Sequence, residues 1–325
     1  MNWRKELVSS YTRIEDLLSL LELNINQIDP LMSAKTHFPF RVTQAYASRI
    51  KPRDPNDPLL LQVLPTNDEL VSPQNFSDDP VEEGPLKKNN SLLQKYHGRA
   101  LLITTGACAI NCRYCFRRAF PYQHIIKSKA LESAFEQISQ DISIKEVILS
   151  GGDPLILDDK ELKRIFESVH QIKHVERLRI HSRLPIVLPS RLTKRFIKLM
   201  RDTPLQTSLV VHVNHPNELD NPTIESLRRC KESGITLLNQ SVLLKNINND
   251  TETLIRLSEI LFLAGVLPYY MHMLDRVTGS AHFEVSDAEA LSLEAQLRAK
   301  LPGYLMPTFV REISKMGSKI PLAQV

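Results

Sequence analysis

Along this chain the spacing of apolar positions changes character twice. From Met1 to about residue 50 they cluster as in amphipathic helices, with Leu17, Leu18, Leu20 and Leu21 among charged flanks. Between residues 51 and 90 that period is lost: Pro52, Pro55, Pro58, Pro65, Pro73, Pro80 and Pro85 fall among Asp and Asn. Proline fixes φ and lacks an N–H, which predicts an extended, irregular wrap here. From residue 99 onward, short β-branched runs alternate with helical ones. Strands are predicted at 100–104, 145–149, 175–180, 207–213, 235–239 and 266–273. Between them, Leu162, Ile165, Phe166 and Val169 repeat at i, i+3, i+4 and i+7, and Leu192, Phe196, Leu199 and Met200 form a similar stripe. The helix ends are marked as well. Asp158 with Glu161 reads as a capping box, Asn221-Pro222 as N-cap plus first helical residue, and Gly234 and Gly265 as helix-ending glycines.

Six apolar strands mostly about 30 residues apart, each followed by a helix, describe a parallel sheet covered by helices. The expected class is α/β, an open, partial (βα)6 barrel, with a doubly wound sheet as competitor. Boundaries are drawn at 1–98 for an N-terminal helical and proline-rich wrap, 99–300 for the partial barrel and 301–325 for a C-terminal segment. In either architecture chemistry belongs at the C-terminal ends of the strands.

The 325 residues are 42% hydrophobic and 24% charged with a net charge of +4, an ordinary globular balance that excludes disordered and fibrous classes. The charges are interspersed, so no nucleic-acid face is expected. No apolar run approaches the roughly 18 residues of a membrane span. Met1 to Leu23 carries Arg4, Lys5, Glu6, Arg13, Glu15 and Asp16, unlike a signal peptide. A cytoplasmic protein without membrane partners is expected.

Three of the four cysteines, Cys108, Cys112 and Cys115, form a CxxxCxxC array just after the first barrel strand. In a reducing compartment such closely spaced thiols point to a metal or to catalysis rather than to disulfides. Three thiolates leave one iron of a [4Fe–4S] cluster without a protein ligand, whereas structural Fe–S and zinc sites want four ligands. A zinc site completed by a distant His or by Cys230 is the alternative; otherwise Cys230, in LRRCKESG, reads as an inert helix residue. Ser150-Gly151-Gly152-Asp153-Pro154 follows the second strand. It is neither a dinucleotide fingerprint nor a phosphate loop.

The cysteine array after the first strand of a partial barrel resembles the radical S-adenosylmethionine (SAM) superfamily, and Gly151, Gly152 and Asp153 resemble its second-strand motif, which contacts the SAM amino group. Aspartate stands where glutamate is commoner. The resemblance narrows to the lysine 2,3-aminomutases, which also use pyridoxal 5′-phosphate (PLP). It runs from about residue 57 to the end through KYHGR at 95–99, CRYCFRR at 112–118, HSRLPIVLP at 181–189, HVNHPNE at 212–218, LLNQSVLL at 237–244 and SKIP at 318–321. DPLLLQVL at 57–64, CRYCFRRAFPY at 112–122 and VREISKMGSKIPL at 310–322 are similar to the short bacterial form. That form makes (R)-β-lysine for modification of elongation factor P.

The resemblance implies a role for each matching residue. Cys108, Cys112 and Cys115 hold the cluster. Lys319 is the Schiff-base lysine, and Lys95 and Arg99 hold the PLP phosphate. His212 and Gln240 contact SAM. Arg117 pairs with the substrate carboxylate, and Asp275 and Glu312 with its distal ammonium. Glu312 stands where the longer enzymes have aspartate. It further implies an isomerase that converts (S)-α-lysine to (R)-β-lysine by a 5′-deoxyadenosyl radical mechanism. L-lysine is the substrate, an external one-electron reductant is required, and a separate ligase attaches the product to elongation factor P. Only six residues follow Lys319, without the C-terminal extension of the longer enzymes, which leaves the oligomeric state open, a homodimer included. Action on glutamate or arginine, or a non-catalytic metal-binding module, are the alternatives. Tyr269, Tyr270 and His272 either line the cavity or pack; His181 and His215 either line it as well or only satisfy buried backbone.

Overall fold

The computed structural model describes residues 2–24, 38–71, 73–84, 87–89, 91–120, 122 and 128–324. Pro85 of the proline-rich stretch lies outside them, as do residues 25–37 of the N-terminal region.

Among the described residues ten strands form one open sheet in sequence order: β1 (Lys87–Asn89), β2 (Leu92–Leu93), β3 (Arg99–Thr105), β4 (Glu146–Gly151), β5 (Arg177–Ser182), β6 (Gln206–Val211), β7 (Thr236–Val242), β8 (Leu267–His272), β9 (Thr308–Arg311) and β10 (Ile320–Pro321). From β3 through β9 every pairing is parallel. Antiparallel β1–β2 and β10 flank the two edges. The six predicted strands are β3 to β8, within two residues at either end except that β7 runs three residues further, to Val242. β9 is a seventh parallel strand that the sequence reading omits, because four residues are too few for a periodicity to register.

The helices are α1 (Trp3–Val8), α2 (Ile14–Leu20), α3 (Gln44–Ala47) and α4 (Pro58–Leu61) in the N-terminal wrap. Over the sheet lie α5 (Ser128–Gln140), α6 (Asp159–His170), α7 (Leu184–Val187), α8 (Lys194–Asp202), α9 (Asn221–Glu232), α10 (Thr251–Leu263) and α11 (Asp287–Lys300). α6 has both halves of its capping box, and Leu162, Ile165, Phe166 and Val169 are buried. Each buried side chain contributes about 1.5–3 kcal/mol against roughly 1 for a cap, so packing decides that this helix forms and the cap decides where it begins. The α9 boundary shifts by one residue. Asp220 is the N-cap, its carboxylate accepting from Thr223 N, so Asn221 is already helical. Gly234 and Gly265 end their helices at φ of 83° and 82°, a backbone region other residues rarely enter.

The main core joins strand residues such as Leu102, Leu149, Ile180 and Leu209 to Leu17, Leu21, Tyr46, Leu59 and Leu60 of the wrap. The wrap is therefore part of the barrel's packing, although Leu20 points outward at 46% exposure. No helix among the described residues is long and apolar enough to cross a membrane.

Candidate active site

Parallel strands put all their C-terminal ends on one side. Chain segments leaving those ends enclose a cavity of about 520 Å³. Lys95, Arg99, Cys108, Cys112, Cys115, Arg117, Gly151, Gly152, Asp153, His212, Gln240, Asp275, Glu312 and Lys319, every site residue picked from sequence, line this one cavity.

The cysteine loop leaves β3 and is pressed against the end of β4. Gly152 N donates to Thr105 O at 2.7 Å and Asp153 N to Ala107 O at 2.8 Å. A Cβ on Gly152 would sit 2.3 Å from Ala107 O, and one on Gly151, at φ 119°, 2.6 Å from Thr105 O. The two glycines are thus required by a close backbone approach. Asp153 is wholly engaged. Its carboxylate accepts from Ser182 Oγ (2.6 Å), Leu155 N (3.0 Å), Arg183 N (2.8 Å) and Leu184 N (2.8 Å). It ties the loops after β4 and β5 together. Burial pushes its carboxyl up, with these donors pulling the other way.

From the outer side the loop is gripped by the wrap. Arg113, completely buried between two cluster cysteines, donates to both oxygens of Glu69 at 2.7 and 2.6 Å, and Arg118 pairs with the same carboxylate. Arg183 donates to the Sγ of Cys112, to Gln62 Oε1 at 2.8 Å and to Glu218 Oε2 at 3.0 Å. Tyr114 OH meets His212 Nε2 at 2.9 Å, and burial drops that imidazole to about 3, so it is neutral. Glu69, Gln62, Arg183 and Glu218 were not among the sequence candidates; partners this far apart in the chain leave no spacing signal.

The three sulfurs are half-buried. Burial, then the neighbouring charges, push Cys108 up and Cys115 up to about 11. Iron, when coordinated, would supply the positive charge that reverses this balance; Arg183 lies beside the Cys112 sulfur. Among the described residues no three His, Cys, Asp or Glu are gathered around a single ion; a [4Fe–4S] cluster takes one sulfur per iron. Cys230 is fully buried in the core on α9, away from the cavity, which leaves it no part as a fourth ligand. The donor set fits a cluster held by Cys108, Cys112 and Cys115.

The other end of the cavity is built on charge. β10 runs antiparallel to β9 with Ile320 opposite Arg311, which sets Lys319 across from Glu312. Lys319 Nζ donates to Glu312 Oε2 at 2.6 Å, Lys95 Nζ lies 2.5 Å from Oε1, and Tyr96 OH donates to the same oxygen. Because Lys95 follows β2, this one carboxylate links the two edges of the open sheet. Burial works against the Glu312 charge, but the two lysines and the phenol prevail and hold it at about 2. Burial pushes Asp275 up to about 7 despite Lys319. Lys95, Arg99 and Lys319 therefore face one firmly ionised acid, an excess of positive charge suited to a phosphate ester. His181 and His272 line this space with each Nε2 buried and unpaired, and burial keeps both imidazoles neutral. Such orphaned polar atoms beside a reachable amine fit PLP. Of the two alternatives for these histidines, His181 takes the cavity, and His215 caps backbone, its Nδ1 accepting from Asn217 N at 3.2 Å. Tyr269 and Tyr270 stack at 3.8 Å and both line the cavity.

The Radical SAM superfamily model matches residues 102–258. The chain is 45% identical to an L-lysine 2,3-aminomutase of Escherichia coli (strain K12), over 99% of this chain and 94% of that one. It is 32% identical to the L-lysine 2,3-aminomutase of Clostridium subterminale, over 99% and 77%. A radical SAM methyltransferase from Sphaerobacter thermophilus superposes with a TM-score of 0.51 at 16% identity, covering 68% of each chain, and so shares the fold. Cluster cysteines, partial barrel and full-length relatives agree: the chain belongs to the lysine 2,3-aminomutase family of radical SAM proteins, which use a [4Fe–4S] cluster, SAM and PLP.

Proposed function

We propose that this chain converts (S)-α-lysine to (R)-β-lysine. One observation carries the reading. A single cavity holds the three cluster sulfurs at one end and Lys319 at the other, with Arg117, Asp275 and Glu312 facing the same space. When bound, the cluster with SAM supplies a 5′-deoxyadenosyl radical, and PLP supplies the carbonyl that carries the migrating amino group.

The chain's own residues place the reactants. Arg117 suits the α-carboxylate, as a planar fork does. Asp275 suits the distal ammonium; its carboxyl near 7 gives up a proton when that cation arrives. Glu312, already shared by Lys95 and Lys319, is the less available of the two acids. Lys319 offers the amine for PLP, and Lys95 with Arg99 the charge for its phosphate. His212, Gln240 and the glycine turn at 151–152 lie on the SAM side. Asp153 serves that side by fixing two loops. The wrap closes over the site and excludes water from the radical.

The same proposal includes a wrap at 1–98, a barrel at 99–300 and a PLP-lysine segment at 301–325. It also includes an external one-electron reductant, a cytoplasmic setting and delivery of β-lysine to an elongation factor P ligase. Anaerobic reconstitution with iron, sulfide, PLP and SAM, followed by chiral analysis of products from L-lysine, tests it. (R)-β-lysine is the expected product. Fully loaded enzyme that yields none overturns the reading. L-glutamate and L-arginine run in parallel test specificity, and glutamate is expected to fail because its side chain would face Asp275 and Glu312.

A further inference from the structure

We propose that Glu83 is a positioning residue for substrate recognition: it grips one edge of the Arg117 guanidinium and so presents the remaining edge to the carboxylate of the amino acid. The inference rests on the reading of Arg117 as the carboxylate partner.

Arg117 Nε donates to Glu83 Oε2 at 2.8 Å, and Nη2 to Glu83 Oε1 at 2.5 Å. Nη1 donates to Ser150 Oγ at 3.1 Å, at the end of β4. A guanidinium carries five N–H groups; these three bonds leave one on each Nη. A carboxylate needs two such donors for a bidentate contact. Phe116 and Phe120 lie 4.9 and 5.9 Å from the guanidinium carbon, so two rings, a hydroxyl and a carboxylate fix its plane. Only 7% of the Arg117 side chain and 12% of the Glu83 side chain are exposed, which leaves water little chance to replace these bonds. Burial opposes the Arg117 charge and Glu83 more than restores it.

A gripping residue must itself be held. Glu83 sits on a strap, residues 73–84, in which Phe76 and Val81 are buried. Ser77 N donates to Arg276 O at 3.0 Å and Thr278 N to Ser77 O at 3.1 Å. The Asp79 carboxylate accepts from Glu83 N at 2.8 Å and Gly84 N at 3.0 Å. Next door, Ser314 Oγ donates to Glu82 Oε2 at 2.6 Å. The strap is therefore tied to the β9–β10 hairpin that carries Lys319. Arg117, which would hold the substrate carboxylate, and Lys319, which would hold PLP until the substrate amine takes its place, share one support.

The test uses reconstituted holoenzyme and the variants Glu83→Gln, Arg117→Gln and the double variant. It measures kcat and KM for L-lysine, and competitive inhibition by L-lysinamide, which lacks the carboxylate. Glu83→Gln is expected to raise KM about tenfold, or roughly 1.4 kcal/mol, with the larger part of the effect in KM rather than kcat. Inhibition by L-lysinamide is expected to hold its strength, and the Glu83→Gln effect to vanish in the Arg117→Gln background. Glu83→Asp, whose shorter arm reaches one guanidinium nitrogen instead of two, is expected to shift KM in the same direction, and it serves if the glutamine variant fails to fold. The inference falls if KM is unchanged or drops, the latter meaning that Glu83 competes with substrate. It falls equally if L-lysinamide weakens as much as lysine, or if the effect persists without Arg117. If Arg117→Gln alone leaves KM unaltered, the reading of Arg117 falls too; a strong Arg117→Gln with a silent Glu83→Gln removes this inference alone.

Discussion

The two ends of the cavity are held by different physics. At the cysteine end the backbone of one loop lies directly on another, with Gly152 against Ala107, and the charges are buried pairs such as Arg113 with Glu69. At the lysine end the strands are two and four residues long, and a single carboxylate joins Lys95, Tyr96 and Lys319 across the opening of the sheet. Packing cannot relax without steric conflict, whereas an ion cluster can exchange partners. The first end suits a cofactor that must stay put. The second suits the role proposed for Lys319, in which the amine would release one partner and take another.

That contrast can be broken, and the largest expected effects come from the groups proposed to hold cofactors. Cys112→Ala is expected to abolish cluster binding and activity, read as iron content and visible absorbance. Lys319→Ala is expected to abolish the absorbance of lysine-bound PLP while iron and sulfide content stay at wild-type levels. An unchanged PLP spectrum would remove Lys319 from its role, and a lost cluster would deny that the two ends are independent.

Smaller effects sharpen the comparison. Asp275→Asn is expected to raise KM for L-lysine about 10- to 100-fold, the range for a lost bond to a charged group; a similar loss for a short neutral amino acid would deny Asp275 the distal ammonium. Because its carboxyl lies near 7, KM for lysine should fall as pH rises from 6 to 8 in wild type and not in the variant. Gly152→Ala is expected to cost about 1–3 kcal/mol by overpacking and to lower iron retention while sparing PLP binding. If PLP binding drops as much, the ends are coupled.

The smallest effect is a stability change in acid. Glu312 is held near 2 when folded, against an ordinary 4.5. Its contribution is therefore complete above pH 4.5 and lost as pH falls towards 2. Thermal unfolding followed from pH 5 to 2.5 should show a smaller decline for Glu312→Gln than for wild type; parallel declines would deny the carboxylate cluster this role.

The sequence was most legible where a local pattern encodes a local structure. β3 to β8 each hold a short apolar stretch, so they stand out even where polar residues interleave, as Arg177, Arg179 and His181 do in β5. The Asp158–Glu161 box and the positive-φ glycines 234 and 265 need only neighbouring residues. β9 and β10 were not legible, because their residues form strands only by completing β8. The N-cap of α9 moved from Asn221 to Asp220 because either side chain can cap and only the backbone path selects one.

For the site, the sequence by itself determined the chemistry: three cysteines at cluster spacing, one lysine in a matching motif, and the acids and arginines that accompany them. Their residue types limit what each group can bind, whatever surrounds it. Only the tertiary structure decided which charges meet. Glu83 and Arg117 are 34 positions apart, Glu69 and Arg113 44, and Lys95 and Glu312 217. No periodicity reaches across such distances. Strand order and register bring these residues together, and once water is excluded around them the Coulomb interaction becomes strong enough to fix a guanidinium plane or hold an amine in place.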